Sequence, residues 1–130
     1  EGLIAARRGQ TVLASQRLNQ GIERLRSSTN AALFLPPTLL RRAEFQLAQQ
    51  QLEGAQQDAQ EAQRLLLASL GPDMRSLHHG DALMVLGQVA TQRRQLAEAR
   101  TQFEAAAAQY ADALGPQNPK TLAAVKLARR

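Results

Sequence analysis

Cysteine is absent from the 130 residues, which excludes disulfides and thiolate chemistry. No run of eighteen or more apolar residues occurs, so no membrane-spanning helix is expected. Aromatic side chains are reduced to Phe34, Phe45, Phe103 and Tyr110, too few to build a platform for stacked bases. Lysine is nearly missing as well: fourteen Arg and two Lys stand against eleven acids, and the net charge is +5. The chain has no Gly-rich phosphate loop, no nucleophile elbow and no HExxH. Glu44, Glu53, Asp58, Glu61, Glu98 and Glu104 are scattered over faces the pattern leaves mostly to water, and no pocket is defined in which two of them could share acid and base work. His78-His79 is wrongly spaced for two ligands from one helix face, and no Cys or further His completes a tetrahedral set. Catalytic residues, metal ligands and cofactors are therefore not expected, and neither is an enzyme.

What the chain does have is small residues at regular places. In the stretch from Asp81 to Leu114, Leu83, Leu86, Gly87 and Ala90 form the buried stripe of one helix. Leu96, Ala99, Phe103, Ala106, Tyr110 and Leu114 form the stripe of a second, after a break at Arg94-Gln95. Two helices approach closely only where side chains are short, and Gly87, Ala99 and Ala106 are expected at that contact. The same frame recurs upstream as Ala43, Ala55 and Ala62, and again as Gly2, Ala14 and Gly21. All nine slots are Gly or Ala in a chain of which those residues make up about a quarter. Gln10, Gln51 and Gln95 each precede the central Ala by four residues, and Leu25, Leu66 and Tyr110 follow it by eleven.

The order small, eleven residues, Ala, three residues, aromatic, two residues, Ala resembles a tetratricopeptide repeat (TPR), a helix pair repeated in tandem. The repeat is about ten residues longer than the plain 34, and Leu70-Gly71-Pro72-Asp73 returns as Leu114-Gly115-Pro116-Gln117. Gly then Pro is a helix stop. The run LGPQNPKTLAAVKLA, Leu114 to Ala128, is similar to the linker and helix start of the kinesin-light-chain type of TPR, common in bacterial signalling proteins. The resemblance implies an all-α fold, a right-handed superhelix of antiparallel helix pairs, acting as a protein-interaction scaffold in signalling. One TPR-like array is expected over 1–130: a partial repeat 1–30, repeats 36–72 and 80–116, and the start of a further repeat or a capping helix at 118–130. The Asn pair with which that family clamps a peptide backbone is replaced here by Leu40-Arg41 and Met84-Val85.

Helix boundaries follow from the frame. Gly9-Gln10 is expected to be a turn before a helix over 11–26, with Leu13, Ala14, Leu18, Gly21, Ile22 and Leu25 facing inward. Ala31 to Pro37 is expected as an apolar connector, with Thr38 capping the next helix and Leu33, Phe34 and Leu35 either plugging a groove or forming a lip for a partner or a second copy. Residues 71–80 are expected as a connector, with Asp81 as a cap.

The concave side of such an array is lined by the first helix of each pair. That projects Leu40, Arg41, Glu44 and Leu47, then Asp81, Met84, Gln88, Thr91 and Gln92, into a groove for an extended or helical peptide, with Met84 as the adaptable anchor. Nucleic acid is the competing partner, through Arg7-Arg8, Arg93-Arg94 and Arg129-Arg130. The shortage of aromatics and the favourable placing of cations near helix C-termini speak against it. Self-association is a third reading. Because the chain opens and closes inside what read as first helices, it is expected to be a segment of a longer array, in a cytoplasmic setting.

Overall fold

The computed structural model describes residues 2–69 and 72–130, with the backbone alone for 2–6, 32, 69 and 72–76; Leu70 and Gly71 of the first Leu-Gly-Pro connector lie outside the described residues. Six helices follow one another: α1 (Gly2–Arg26), α2 (Ala31–Ala48), α3 (Leu52–Ser69), α4 (Pro72–Gln92), α5 (Leu96–Leu114) and α6 (Pro119–Ala128). There is no strand among the described residues. Each helix packs against its neighbour in sequence, most extensively α4 on α5 and then α2 on α3. The fold is thus an all-α helical repeat.

The turns of the two central pairs are copies. Gln50 and Arg94, 44 residues apart, both take a left-handed backbone, at φ 63° and 62°. The amide of the next residue then closes back over the helix end: Gln51 N–H donates to Gln46 O, and Gln95 N–H to Ala90 O, each at 2.8 Å. Such a six-to-one closure caps the last carbonyls of a helix and reverses the chain in two or three residues. Neighbours so joined must run antiparallel.

Side-chain size sets how close they come. The six small slots of these pairs, Ala43, Ala55, Ala62, Gly87, Ala99 and Ala106, are all buried. Between α4 and α5 the fit is tightest: a Cβ on Gly87 would lie 2.5 Å from Phe103 Cε1, and one on Gly80 would lie 2.7 Å from Tyr110 Cε1. Each ring rests on bare backbone, so any side chain there forces the helices apart. Between α2 and α3 the core is Leu39, Leu40, Ala43, Leu47, Ala55, Ala59 and Ala62. Beside it Arg42 grips Asp58 with two bonds, Nε to Oδ2 at 2.7 Å and Nη2 to Oδ1 at 2.8 Å. Asp58, expected in water, is 5% exposed.

Several boundaries differ from the sequence reading. α1 runs unbroken through Gly9-Gln10, since Gly9 keeps helical dihedrals and a glycine costs a helix only about 1 kcal/mol relative to Ala. The frame of Gly2, Ala14 and Gly21 therefore makes no helix pair of its own, and Leu13 is exposed while Ile22 is fully buried. The apolar connector is helix as well: Asn30 O accepts from Leu33 N and Phe34 N, which winds the first turn ahead of Pro36 and Pro37. Prolines near a helix start forfeit few bonds, and Pro36 is buried in the core. Thr38 is no cap; its hydroxyl donates to Phe34 O within the helix. α4 likewise opens at Pro72 rather than at Asp81, so residues 72–80 are helical and Gly80 serves the Tyr110 ring. α6 starts where expected, with the Asn118 side chain accepting from Lys120 N.

Candidate binding groove

Besides its sequence neighbours, α2 packs directly on α4, while among the described residues no comparable contact joins α3 to α5. An array whose first helices touch and whose second helices splay is curved, with the first helices on the inside. Two adjoining cavities lie on that side. The larger, about 430 Å³, is lined by Glu44, Leu47, Ala48, Gln50, Gln88, Thr91, Gln92, Phe103 and Leu127. The second, about 350 Å³, is lined by Glu44, Asp81, Met84, Val85, Gln88, Tyr110, Lys120 and Ala123. Glu44 and Gln88 stand between the two and belong to both.

Of the residues projected from sequence, Glu44, Leu47, Asp81, Met84, Gln88, Thr91 and Gln92 are brought together here. Leu40 is not: it is 3% exposed, inside the α2–α3 core. Arg41 is exposed and lines neither cavity. Met84 is partly buried and packs against the clusters around Tyr110 and Phe103, so it is half wall and half core. Sequence reasoning missed Phe103, Tyr110, Lys120, Ala123 and Leu127. The signal was present: α6 packs on α5, and extending the concave-face rule to the helix expected at 118–130 would have added its three residues.

The chemistry differs from one cavity to the other. The larger has an apolar floor of Leu47, Ala48, Phe103 and Leu127. The smaller holds a polar knot in which Asp81, a mid-helix residue and not a cap, takes both partners on Oδ1: the Tyr110 hydroxyl at 2.5 Å and Lys120 Nζ at 3.1 Å. The Lys120 ammonium also lies 5.6 Å from the Tyr110 ring centroid. Burial first, then the bond to Asp81, raises the Tyr110 hydroxyl well above its ordinary pKa, so it remains a donor. Glu44 makes no hydrogen bond or ion pair among the described residues. Glu44 is exposed over much of its surface, yet partial desolvation of its carboxyl, and after it the Asp81 carboxylate, raises its pKa.

Elsewhere the expected features separate. Leu33 and Phe34 are each 52% exposed on the first turn of α2, but Leu35 is buried, so the apolar lip is two residues wide. The arginine pairs do not occupy equivalent places: Arg7-Arg8 sit within α1, Arg93-Arg94 form the α4–α5 turn, and Arg129-Arg130 follow α6. Arg93 is tied to Gln56 Oε1 at 2.6 Å. His78 and His79 are part of α4, the latter 3.4 Å from the Gln63 amide. Among the described residues no three of His, Asp and Glu converge as metal ligands, and no helix is long and apolar enough to cross a membrane. Compared with protein-family models, curated proteins and solved structures, the chain matches none.

Proposed function

We propose that this chain is a TPR-like interaction module that holds a peptide segment of a partner protein in the groove between α2, α4 and α6, in a scaffolding or regulatory role in signalling. The observation that carries the reading is the pair of adjoining cavities on the inner side of the array, one floored by apolar side chains and one that adds the charged groups of Asp81 and Lys120 to its apolar walls. Pockets that take peptides combine an apolar seat with a few fixed polar groups. Along α4 the groove runs from Asp81 to Gln92, roughly 16 Å at 1.5 Å per residue. That accommodates about five residues of extended chain. The signalling setting rests on the likeness of the Leu114 to Ala128 run to kinesin-light-chain repeats. The scattered arginine pairs give nucleic acid no comparable surface.

Gln88 is the residue to test, because it borders both cavities and is half-exposed. A random dodecapeptide phage library is selected on the immobilised chain, and enriched peptides are measured against wild type and Gln88→Trp, whose indole fills the groove. Binding that weakens at least tenfold in Gln88→Trp, with unchanged helicity by circular dichroism, is the expected result. No enrichment, or peptides that bind both proteins equally, overturns the reading.

A further inference from the structure

Charge within the groove runs against charge over the whole molecule. The chain carries +5, yet the charged groups lining the two cavities are Glu44, Asp81 and Lys120. Lys120 is already paired with Asp81 and lies over the Tyr110 ring. Asp81 is 18% exposed and uses Oδ1 for both partners, leaving Oδ2 open among the described residues. Glu44, on the facing helix α2, makes no hydrogen bond or ion pair among them, although the charges of Lys120 and Arg41 act on it. The polar cavity thus presents one unpaired carboxylate and a second with a free oxygen, across a gap walled by Met84, Val85 and Ala123. A carboxylate that stands beside another gains from a cation placed between them.

We propose that the groove recognises a basic peptide motif, in which a Lys or Arg side chain enters between Glu44 and Asp81 while a leucine-sized side chain on the same peptide fills the cavity floored by Leu47, Ala48, Phe103 and Leu127. The methylene stem of Lys or Arg suits the walls of the polar cavity and its head suits the carboxylates. The two seats lie roughly 10 Å apart, judged from the seven-residue rise between Asp81 and Gln88 on α4. An acidic peptide would be repelled by Glu44 and Asp81, whose nearby cations are Lys120, already engaged with Asp81, and Arg41, which lies on α2 and lines neither cavity. The general field of the chain favours anions, so a preference for cations has to come from this spot.

The inference rests on the groove reading above, and the test separates the two. The peptides whose binding is lost in Gln88→Trp are sequenced, and their synthetic forms are titrated by fluorescence anisotropy against wild type, Glu44→Gln and Glu44→Lys. Glu44 lies outside the core, so these variants are expected to fold, which circular dichroism verifies. A Lys or Arg beside an apolar residue should dominate the groove-specific set, with affinity falling roughly three- to tenfold in Glu44→Gln and further in Glu44→Lys. Groove-specific peptides without a basic residue, or affinities unmoved by Glu44→Gln, overturn the basic motif and leave the groove standing. Absence of any peptide sensitive to Gln88→Trp overturns both.

Discussion

The helix pairs α2–α3 and α4–α5 share one frame and one turn, yet they fill the space between their helices by opposite means. Where α4 carries Gly87, α2 carries Ala43; where α5 carries Phe103, α3 carries Ala59. A large ring over bare backbone in one pair replaces two methyls in the other, so the sum is kept while the shares move. The same trade occurs two turns further along, where Tyr110 on Gly80 corresponds to Leu66 and Pro36. The polar elements have also shifted. The α2–α3 pair is locked by Arg42 and Asp58 on its flank, and the α4–α5 pair has Leu86 and Gln102 at those positions. Its own polar contact, Tyr110 to Asp81, opens onto the groove instead. Both pairs lend core side chains to the candidate site, Leu47 from one and Phe103 and Tyr110 from the other, but only the α4–α5 pair opens its polar contact onto it.

The volume trade is the easiest part of this contrast to break. Phe103→Ala copies Ala59 without the matching Ala43, and the void it leaves should cost about 3–5 kcal/mol in urea unfolding. Gly87→Ala alone drives a methyl into the Phe103 ring and should cost about 1–3 kcal/mol. In the Phe103→Ala background the same change fills space and removes a helical glycine, so it should stabilise by about 1 kcal/mol. A reversal of sign across the cycle is the signature of coupled packing. If Gly87→Ala has the same effect in both backgrounds, the two pairs do not compensate volume as described.

The polar lock offers the second break. Asp58→Ala leaves the Arg42 guanidinium with Asn19 Oδ1 as its remaining hydrogen-bond partner and no counter-charge in contact, which should cost about 1–3 kcal/mol. Replacing both partners with their counterparts from the other pair, Arg42→Leu with Asp58→Gln, removes the orphaned charge as well as the bond. The double variant should unfold at higher urea than Asp58→Ala. A double variant no more stable than the single would mean that the ion pair does more than satisfy its own charges.

How far the sequence could be read depended on whether a position was set by packing or by backbone. Small slots such as Ala55, Ala99 and Gly87 were legible because close approach admits nothing larger, and the same logic located most of the groove through α4. Turns were not legible from residue type. Gly9 looked like a break and is helical, whereas the reversals at Gln50 and Arg94, residues with no preference for the left-handed region, were placed by the repeat frame, which put a break at Arg94-Gln95. Gly80 looked like connector and is instead a seat for Tyr110. Pro36 and Pro37 looked like a helix start and lie inside α2, because Asn30 O had already closed the turn before them. At Gly80 a partner thirty residues away decided the role, and at the other positions the hydrogen bonding of the surrounding turn overrode the tendency of the single residue.

Those two turns supply the smallest and most symmetrical prediction. A residue other than glycine in the left-handed region carries a steric cost of roughly 1–2 kcal/mol, offset by the greater freedom glycine gives the unfolded chain. Gln50→Gly and Arg94→Gly should therefore each stabilise by a few tenths to about 1 kcal/mol, and by equal amounts if the turns are equivalent. They are not equal in surroundings. Gln50 lines the larger cavity, whereas Arg94 sits exposed in the α4–α5 turn, so Gln50→Gly should also alter peptide affinity where Arg94→Gly does not. Matching stability gains with a difference in binding would show one backbone device used twice, once beside the groove and once away from it. Unequal gains would mean that the hydrogen-bonded copies at Gln46 and Ala90 conceal different strain.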